Sequence, residues 1–302
     1  MLSVRFIGSL APVFEPGFFS SSPVRVALIV GGVVAIVSGV VGTFTVIRGQ
    51  AFAGHSLADI GTAGGSAAFL IGVSPFYGFV AMNLIAAGAM EMIGIRRPRG
   101  RDLATGIVLG AALGLAALFL YLDTTHSSTT GATINVLFGS IFELPSSLVP
   151  VIAVFSVVAT GMVLVSYRPL LLSSLSPDLA TTRGVPVRLV GIGYLIALAV
   201  AVSLSAVTIG AILSTALLIG PAAAALRLTK RAPFAMAIAA GIGVAATWLG
   251  ILLAYDSYDW TPGHGWPVSF FVVSLVFVFY LVIHSSVGRT SARRHPASAE
   301  AA

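Results

Sequence analysis

The chain of 302 residues contains no cysteine. That excludes disulfides, thiolate metal ligands, iron–sulfur clusters and a cysteine nucleophile. Lysine occurs once, as Lys230 in Arg227-Leu-Thr-Lys230-Arg231. A P-loop needs Gly-x-x-x-x-Gly-Lys-Ser/Thr, because its lysine must reach nucleotide phosphates, and this chain cannot supply one. Any ATP-driven work therefore needs another polypeptide to bind the ATP. Charge is scarce too. Only 9% of the residues are charged, against about 25% in an ordinary soluble domain, so the surface of a soluble globular enzyme could not be covered. Neither a Gly-x-Ser-x-Gly elbow nor a His-Glu-x-x-His motif is present, which leaves hydrolase chemistry without its usual framework.

Apolar residues are abundant. They make up 57% of the chain, which excludes a disordered chain and points to a polytopic membrane protein. Apolar segments fall at about 25–47, 51–72, 75–94, 103–122, 147–167, 187–206, 208–227, 232–255 and 267–284. Each is about the length of one membrane crossing, giving about nine spans. Runs of this length must satisfy their backbone groups internally, so they are helices and the expected fold is an all-α transmembrane bundle. Residues 1–24 include Pro12, Pro16 and several phenylalanines and lack a long apolar core with a cleavage site. They read as an extracytoplasmic or interfacial segment rather than a removable signal peptide. Residues 25–286 form the transmembrane domain, and 287–302 read as a polar, disordered cytoplasmic tail.

Basic residues set the orientation. With the N-terminus outside and nine crossings, the inner connections hold Arg48, then Arg96, Arg97, Arg99 and Arg101, then Arg168, Arg183 and Arg188, then Arg227, Lys230 and Arg231, then Arg289, Arg293 and Arg294. Those are all but two of the 16 basic residues. The other two, Arg5 and Arg25, precede or open the first span. The C-terminus is then inside. The Arg96–Arg101 cluster is explained by topology, so nucleic acid is not an expected partner and the contact surface is membrane lipid.

Two polar stretches break the apolar pattern. The outer one, 123–146, holds Asp123, His126 and Asn135-Val-Leu-Phe-Gly-Ser-Ile-Phe142. The inner one, 168–188, contains Ser176-Pro177-Asp178, which has the form of a helix start with Ser176 as N-cap. Gly184 and Pro186 supply the stop. A cytoplasmic helix of about two turns is expected there. Small residues recur at packing intervals, as Gly61 and Gly65 and as Gly106, Gly110 and Gly114. Close packing within one chain is the expected use, and a subunit interface is the other.

His55, Asp59 and Glu91 lie inside expected spans. A carboxylate near a span centre costs about 2.5–3.5 kcal/mol on insertion scales, so it faces a polar cavity or a partner. His55 and Asp59 are four residues apart and share one helix face. Imidazole nitrogen and carboxylate oxygen suit Zn²⁺, Mn²⁺ or Fe²⁺. Spacing alone leaves three readings open: a metal site, an Asp–His hydrogen bond that neutralises both groups, and a proton relay. Glu91 reads as a local ion pair with Arg96 or as a snorkelling side chain. His126 and His264, in outer loops, read as solvated histidines or as low-affinity metal contacts, and His284 and His295 point to nothing specific.

Several motifs together resemble the permease subunits of bacterial ABC importers for zinc, manganese or iron, the ABC-3 metal permease family, from about residue 23 to 285. They are Arg48-Gly-Gln-Ala-Phe-Ala-Gly-His55-Ser-Leu-Ala-Asp59-Ile-Gly-Thr-Ala-Gly64, Val136-Leu-Phe-Gly139, Pro177-Asp178-Leu179-Ala180 followed by Gly184-Val185-Pro-Val187, and Gly210-Ala-Ile-Leu-Ser-Thr-Ala-Leu-Leu-Ile-Gly-Pro221. The family commonly reads Gly-Asp-Ala-x-Ser-His-Ala-x-x-Pro-Gly at the first motif. Here position 55 carries histidine where the family has aspartate, position 59 the reverse, and Ala63 stands for the proline.

The resemblance implies a type II ABC importer-like bundle in a bacterial cytoplasmic membrane. It implies His55 and Asp59 as metal ligands. It implies Pro177, Asp178, Leu179, Ala180, Gly184 and Val185 as the segment coupling to an ATPase. It further implies two permease copies, ATP-binding cassette subunits and an extracytoplasmic metal-binding protein. No catalytic residue and no resident cofactor are expected, the divalent metal being cargo. The rival reading is an ion-coupled secondary transporter using Asp59 and Glu91. A third reading is a scaffold in which the polar pair only holds helices together.

Overall fold

The computed structural model describes residues 18–93, 98–126, 130–260 and 265–293. The described residues form helices and connections, with no strand among them. The helices are α1 (Ser22–Ile47), α2 (Ala51–Leu70), α3 (Pro75–Ile93), α4 (Pro98–His126), α5 (Thr130–Phe138), α6 (Val149–Val165), α7 (Tyr167–Leu175), α8 (Pro177–Thr182), α9 (Val187–Ile209), α10 (Ala211–Leu228), α11 (Ala232–Trp260) and α12 (Val268–Arg293). Each apolar segment of the sequence has become one helix, with ends shifted by a few residues. Seven of them (α1, α4, α6, α9, α10, α11 and α12) contain stretches long and apolar enough to cross a membrane.

Burial separates the centre from the rim. In their most apolar windows α9 and α1 are 72% and 67% buried, whereas α4 and α12 are only 17% and 22% buried. The well-packed pair therefore forms the axis, and the sparsely covered helices present their apolar side chains outward. Hydroxyls and an amide tie the centre together. Ser38 meets Ser205 at 2.8 Å, Thr45 meets the Tyr194 hydroxyl at 2.7 Å, and Asn83 Nδ2 donates to Ser203 Oγ at 2.9 Å. Away from water such bonds have no competing solvent partner.

α2 and α3 are less apolar than the seven, and packing accounts for it. α2 is rich in glycine, alanine and serine and lies against α3 and α4, with α10, α9 and α5 also touching it. Most of its side chains, from Gly54 through Ala68, are buried in protein, so they need not be lipid-compatible. Gly64 and Gly78 cross so closely that a methyl on either would overlap the other's carbonyl.

The two glycine series behave differently. Gly61 abuts Asn83 and Phe79, and Gly65 abuts Phe79, which is the expected close packing within the chain. Gly106, Gly110 and Gly114 have open space around them. The expectation fails there because α4 turns its other stripe inward, burying Thr105, Ala112, Ala116 and Asp123.

The polar stretch 123–146 is not a solvated loop throughout. α4 continues to His126, and Asp123 is 1% exposed within it. α5 then tucks into the bundle against α10, α2, α4 and α9, with Val136 fully covered. The backbone turns at Gly139 and at the α9–α10 break, Gly210, lie against each other. At the other end α12 extends to Arg293, so the chain past 287 is helical as far as it is described. Residues 1–17 and 294–302, with Arg96, Arg97, His264 and His295, lie outside the described residues.

Candidate functional site

α2 begins directly after the turn Arg48-Gly49-Gln50, and His55 and Asp59 follow on its first three turns. The helical spacing places both on one face, as expected. His55 Nε2 and Asp59 Oδ2 are 3.6 Å apart, with side chains 51% and 20% exposed. That separation is an ion-pair distance, slightly longer than a hydrogen bond, so the two groups face each other directly, as both the pairing and the metal-site readings require. The other ring nitrogen, Nδ1, lies 3.1 Å from the hydroxyl oxygen of Thr215 on α10. Among the described residues no third histidine, aspartate or glutamate joins the pair. One chain thus offers one imidazole and one carboxylate.

Glu91 is elsewhere. It lines a cavity of about 540 Å³ with Arg48, Gln50, Ala53, Thr181, Val185 and Arg188 among others, and neither His55 nor Asp59 lines it. Asp59 and Glu91 do not line this cavity together. What the cavity does join is the start of α2 and the segment around α8.

α8 has the predicted architecture. Ser176 caps it by accepting from the Leu179 backbone N–H at 3.4 Å, and Pro177 and Asp178 occupy the first turn. The stop is Gly184, at φ +75°, where its N–H donates to Thr181 O at 2.9 Å and the Val185 N–H donates to Ala180 O at 3.0 Å. Ala180 is completely buried and Leu179 is 45% exposed, so α8 has an anchoring side and an open side. α7, a second short helix within the polar stretch, precedes it and packs on it.

Two polar residues at this end, Arg48 and Thr215, make contacts that the sequence pattern does not announce. The Arg48 guanidinium donates to Ser173 Oγ at 3.3 Å, to Ser174 Oγ at 3.2 Å and, through Nε, to Gln50 Oε1 at 3.3 Å. It also stands 5.1 Å from the centre of the Tyr194 ring, within cation–π range. One side chain thereby ties the α1–α2 turn to α7 and α9. Thr215 was overlooked as well; its only sequence signal is a hydroxyl pair, Ser214-Thr215, inside an otherwise apolar helix.

A bundle of membrane-length helices around a buried central pair is a polytopic integral membrane protein. The chain belongs to the ABC 3 transport family, whose model matches residues 21–284. It is 30% identical over 246 residues to the manganese transport system membrane protein MntC of Halalkalibacterium halodurans, covering 80% of this chain and 83% of that one. It is also 30% identical over 234 residues to the manganese import system permease protein ScaB of Streptococcus pneumoniae, covering 76% and 81%. Its fold resembles the solved structure of PsaBC from Streptococcus pneumoniae in complex with Fab, with TM-score 0.76, 24% identity and coverage of 88% and 92%.

Proposed function

We propose that this chain is the membrane-spanning subunit of an ATP-driven importer of a divalent metal ion, with His55 and Asp59 as ligands on the ion's path. The carrying observation is the 3.6 Å gap between Nε2 and Oδ2. Two donors bound at about 2.0–2.2 Å to one tetrahedral ion stand about 3.3–3.6 Å apart. The gap is that of an ion pair, and it also falls in the range that two ligands of one cation span. The exchanged order of histidine and aspartate leaves the donor set unchanged, one nitrogen and one oxygen ligand per chain.

Manganese is the first cargo to test, because the relatives above are named for it; zinc and iron suit the same donors. A two-donor site is half a coordination shell. Two copies of the chain would bring two imidazoles and two carboxylates to the ion, which supports a homodimer. The chain has no P-loop, so paired ATP-binding cassette subunits would supply the energy and dock at α8, and an extracytoplasmic binding protein would deliver the metal. The proposed setting is the cytoplasmic membrane of a bacterium. There the chain would cross nine times, with the N-terminus outside and the C-terminus inside, as the basic residues require.

The test is manganese uptake into proteoliposomes holding the chain and its ATPase. His55→Ala and Asp59→Asn should each reduce ATP-dependent uptake to background while the protein inserts and assembles normally. An amide can still accept a hydrogen bond from imidazole but carries no charge. Normal uptake by a well-folded Asp59→Asn protein would remove the metal-ligand role. Uptake that collapses with the proton gradient instead of with ATP depletion would favour the secondary-transporter reading.

A further inference from the structure

We infer that Thr215 is the positioning residue of the proposed ion site: its hydroxyl accepts the Nδ1 proton of His55 and so leaves Nε2 as the ligand atom facing Asp59. This deepens the metal-site reading and rests on it. An imidazole that binds a metal must offer the lone pair of one ring nitrogen, and the other nitrogen then carries the proton. The two nitrogens of His55 have different surroundings. Nδ1 is 3.1 Å from Thr215 Oγ1, within hydrogen-bond range. Nε2 is 3.6 Å from Asp59 Oδ2, beyond it. The Thr215 hydroxyl can accept a proton from Nδ1 or donate to its lone pair, so the tautomer is decided by what claims Nε2.

When an ion between Nε2 and the Asp59 carboxylate takes the Nε2 lone pair, Nδ1 must carry the ring proton, and Thr215 Oγ1 is in place to accept it. With the ring held by a bond to another helix, the imidazole also loses less rotational freedom when an ion arrives.

The bond has a second consequence. His55 is on α2 and Thr215 is on α10, 160 positions later. The ion site is thus split: two ligands ride on one helix, and the group that orients one of them rides on another. Drawing α10 away from α2 would free the ring, let the tautomers interconvert and weaken the site without touching either ligand.

The experiment uses the full chain in lipid nanodiscs. Its histidines are labelled with ¹⁵N, and the His55 signals are assigned by their loss in His55→Ala. The ring nitrogens are read with Zn²⁺ bound, a diamagnetic ion that suits the same donors; Mn²⁺ affinity is measured separately. In the wild-type chain the spectrum should show the proton on Nδ1. Thr215→Val should lose that preference and bind Mn²⁺ about 10–100-fold more weakly, the usual effect of removing a group that orients a ligand. Thr215→Ser keeps the hydroxyl and should restore both properties. A wild-type proton on Nε2 overturns the inference even if the valine variant fails to insert. So does Thr215→Val with unchanged affinity beside a His55→Ala chain that has lost binding. If His55→Ala itself binds Mn²⁺ normally, the metal-site reading fails first, and that result is distinct from the other two.

Discussion

A methyl group at Gly210 would overlap the carbonyl of Leu137 and the backbone of Phe138. Its backbone, at φ +88° and ψ +155°, also lies where essentially only glycine is found. Gly72, at φ +75°, has nothing within 4 Å of such a methyl. Gly210→Ala should therefore pay backbone strain of about 1–3 kcal/mol plus the cost of prising α5 from the α9–α10 break, whereas Gly72→Ala should suffer strain alone. Thermal unfolding in detergent should show a clearly larger fall for the first variant. Equal falls would mean that the contact at Gly139 and Gly210 contributes little.

At this same scale the sequence was informative where chemistry is local. His55 and Asp59 could be paired because four residues make one helical turn. Thr215 could not be joined to them, because no pattern in a single sequence connects positions 160 residues apart. Arg48 was legible only as a topological charge, since its bonds to Ser173 and Ser174 depend on how α7 folds back.

At the scale of elements, α8 was readable from its ends. A serine cap, a proline in the first turn and a glycine stop are backbone chemistry, and each is where the sequence placed it. α5 and α7, nine residues each, are too short for periodicity to separate from loop, and their helical form comes from packing against longer neighbours. α4 showed the opposite difficulty. Its glycines marked one face as a packing face, yet α2 took the alanine face.

Burial within α8 also divides the proposed coupling residues. Ala180 is an anchor, while Leu179 is available to a partner. Leu179→Glu should reduce the amount of ATPase subunit recovered with the chain and leave its unfolding temperature unchanged. Ala180→Glu should lower the unfolding temperature, because a charge would be forced into a covered position. If Leu179→Glu recovers the ATPase as well as the wild type does, docking does not use the open side of α8.

For the whole molecule, the open question is whether α2 and α3 cross the membrane. Composition favours the seven more apolar helices, but composition is a criterion for surfaces that meet lipid, and α2 is covered on several sides by protein. Length permits crossing, since its 20 residues extend about 30 Å, the thickness of a bilayer core. Charge favours it as well. The turn between the two helices, at 71–74, has no basic residue, whereas Arg48 precedes α2 and the arginines from 96 onward follow α3.

Seven and nine crossings give the same direction to every later helix, so labels near the C-terminus cannot separate them; a label at the α2–α3 turn can. Ile71 is 74% exposed there, and the chain has no native thiol, so Ile71→Cys places the sole thiol at the critical point. Ser147→Cys and Thr182→Cys, both at exposed positions, calibrate the two faces across α6. In intact cells a membrane-impermeant maleimide should label positions 71 and 147 and spare 182, and in inverted vesicles the pattern should reverse. Labelling of 71 together with 182 would make α2 and α3 a hairpin entering from the inner face. The His55–Asp59 site would then be open to the cytoplasm alone, and a path for the ion through the bundle would have to be sought elsewhere.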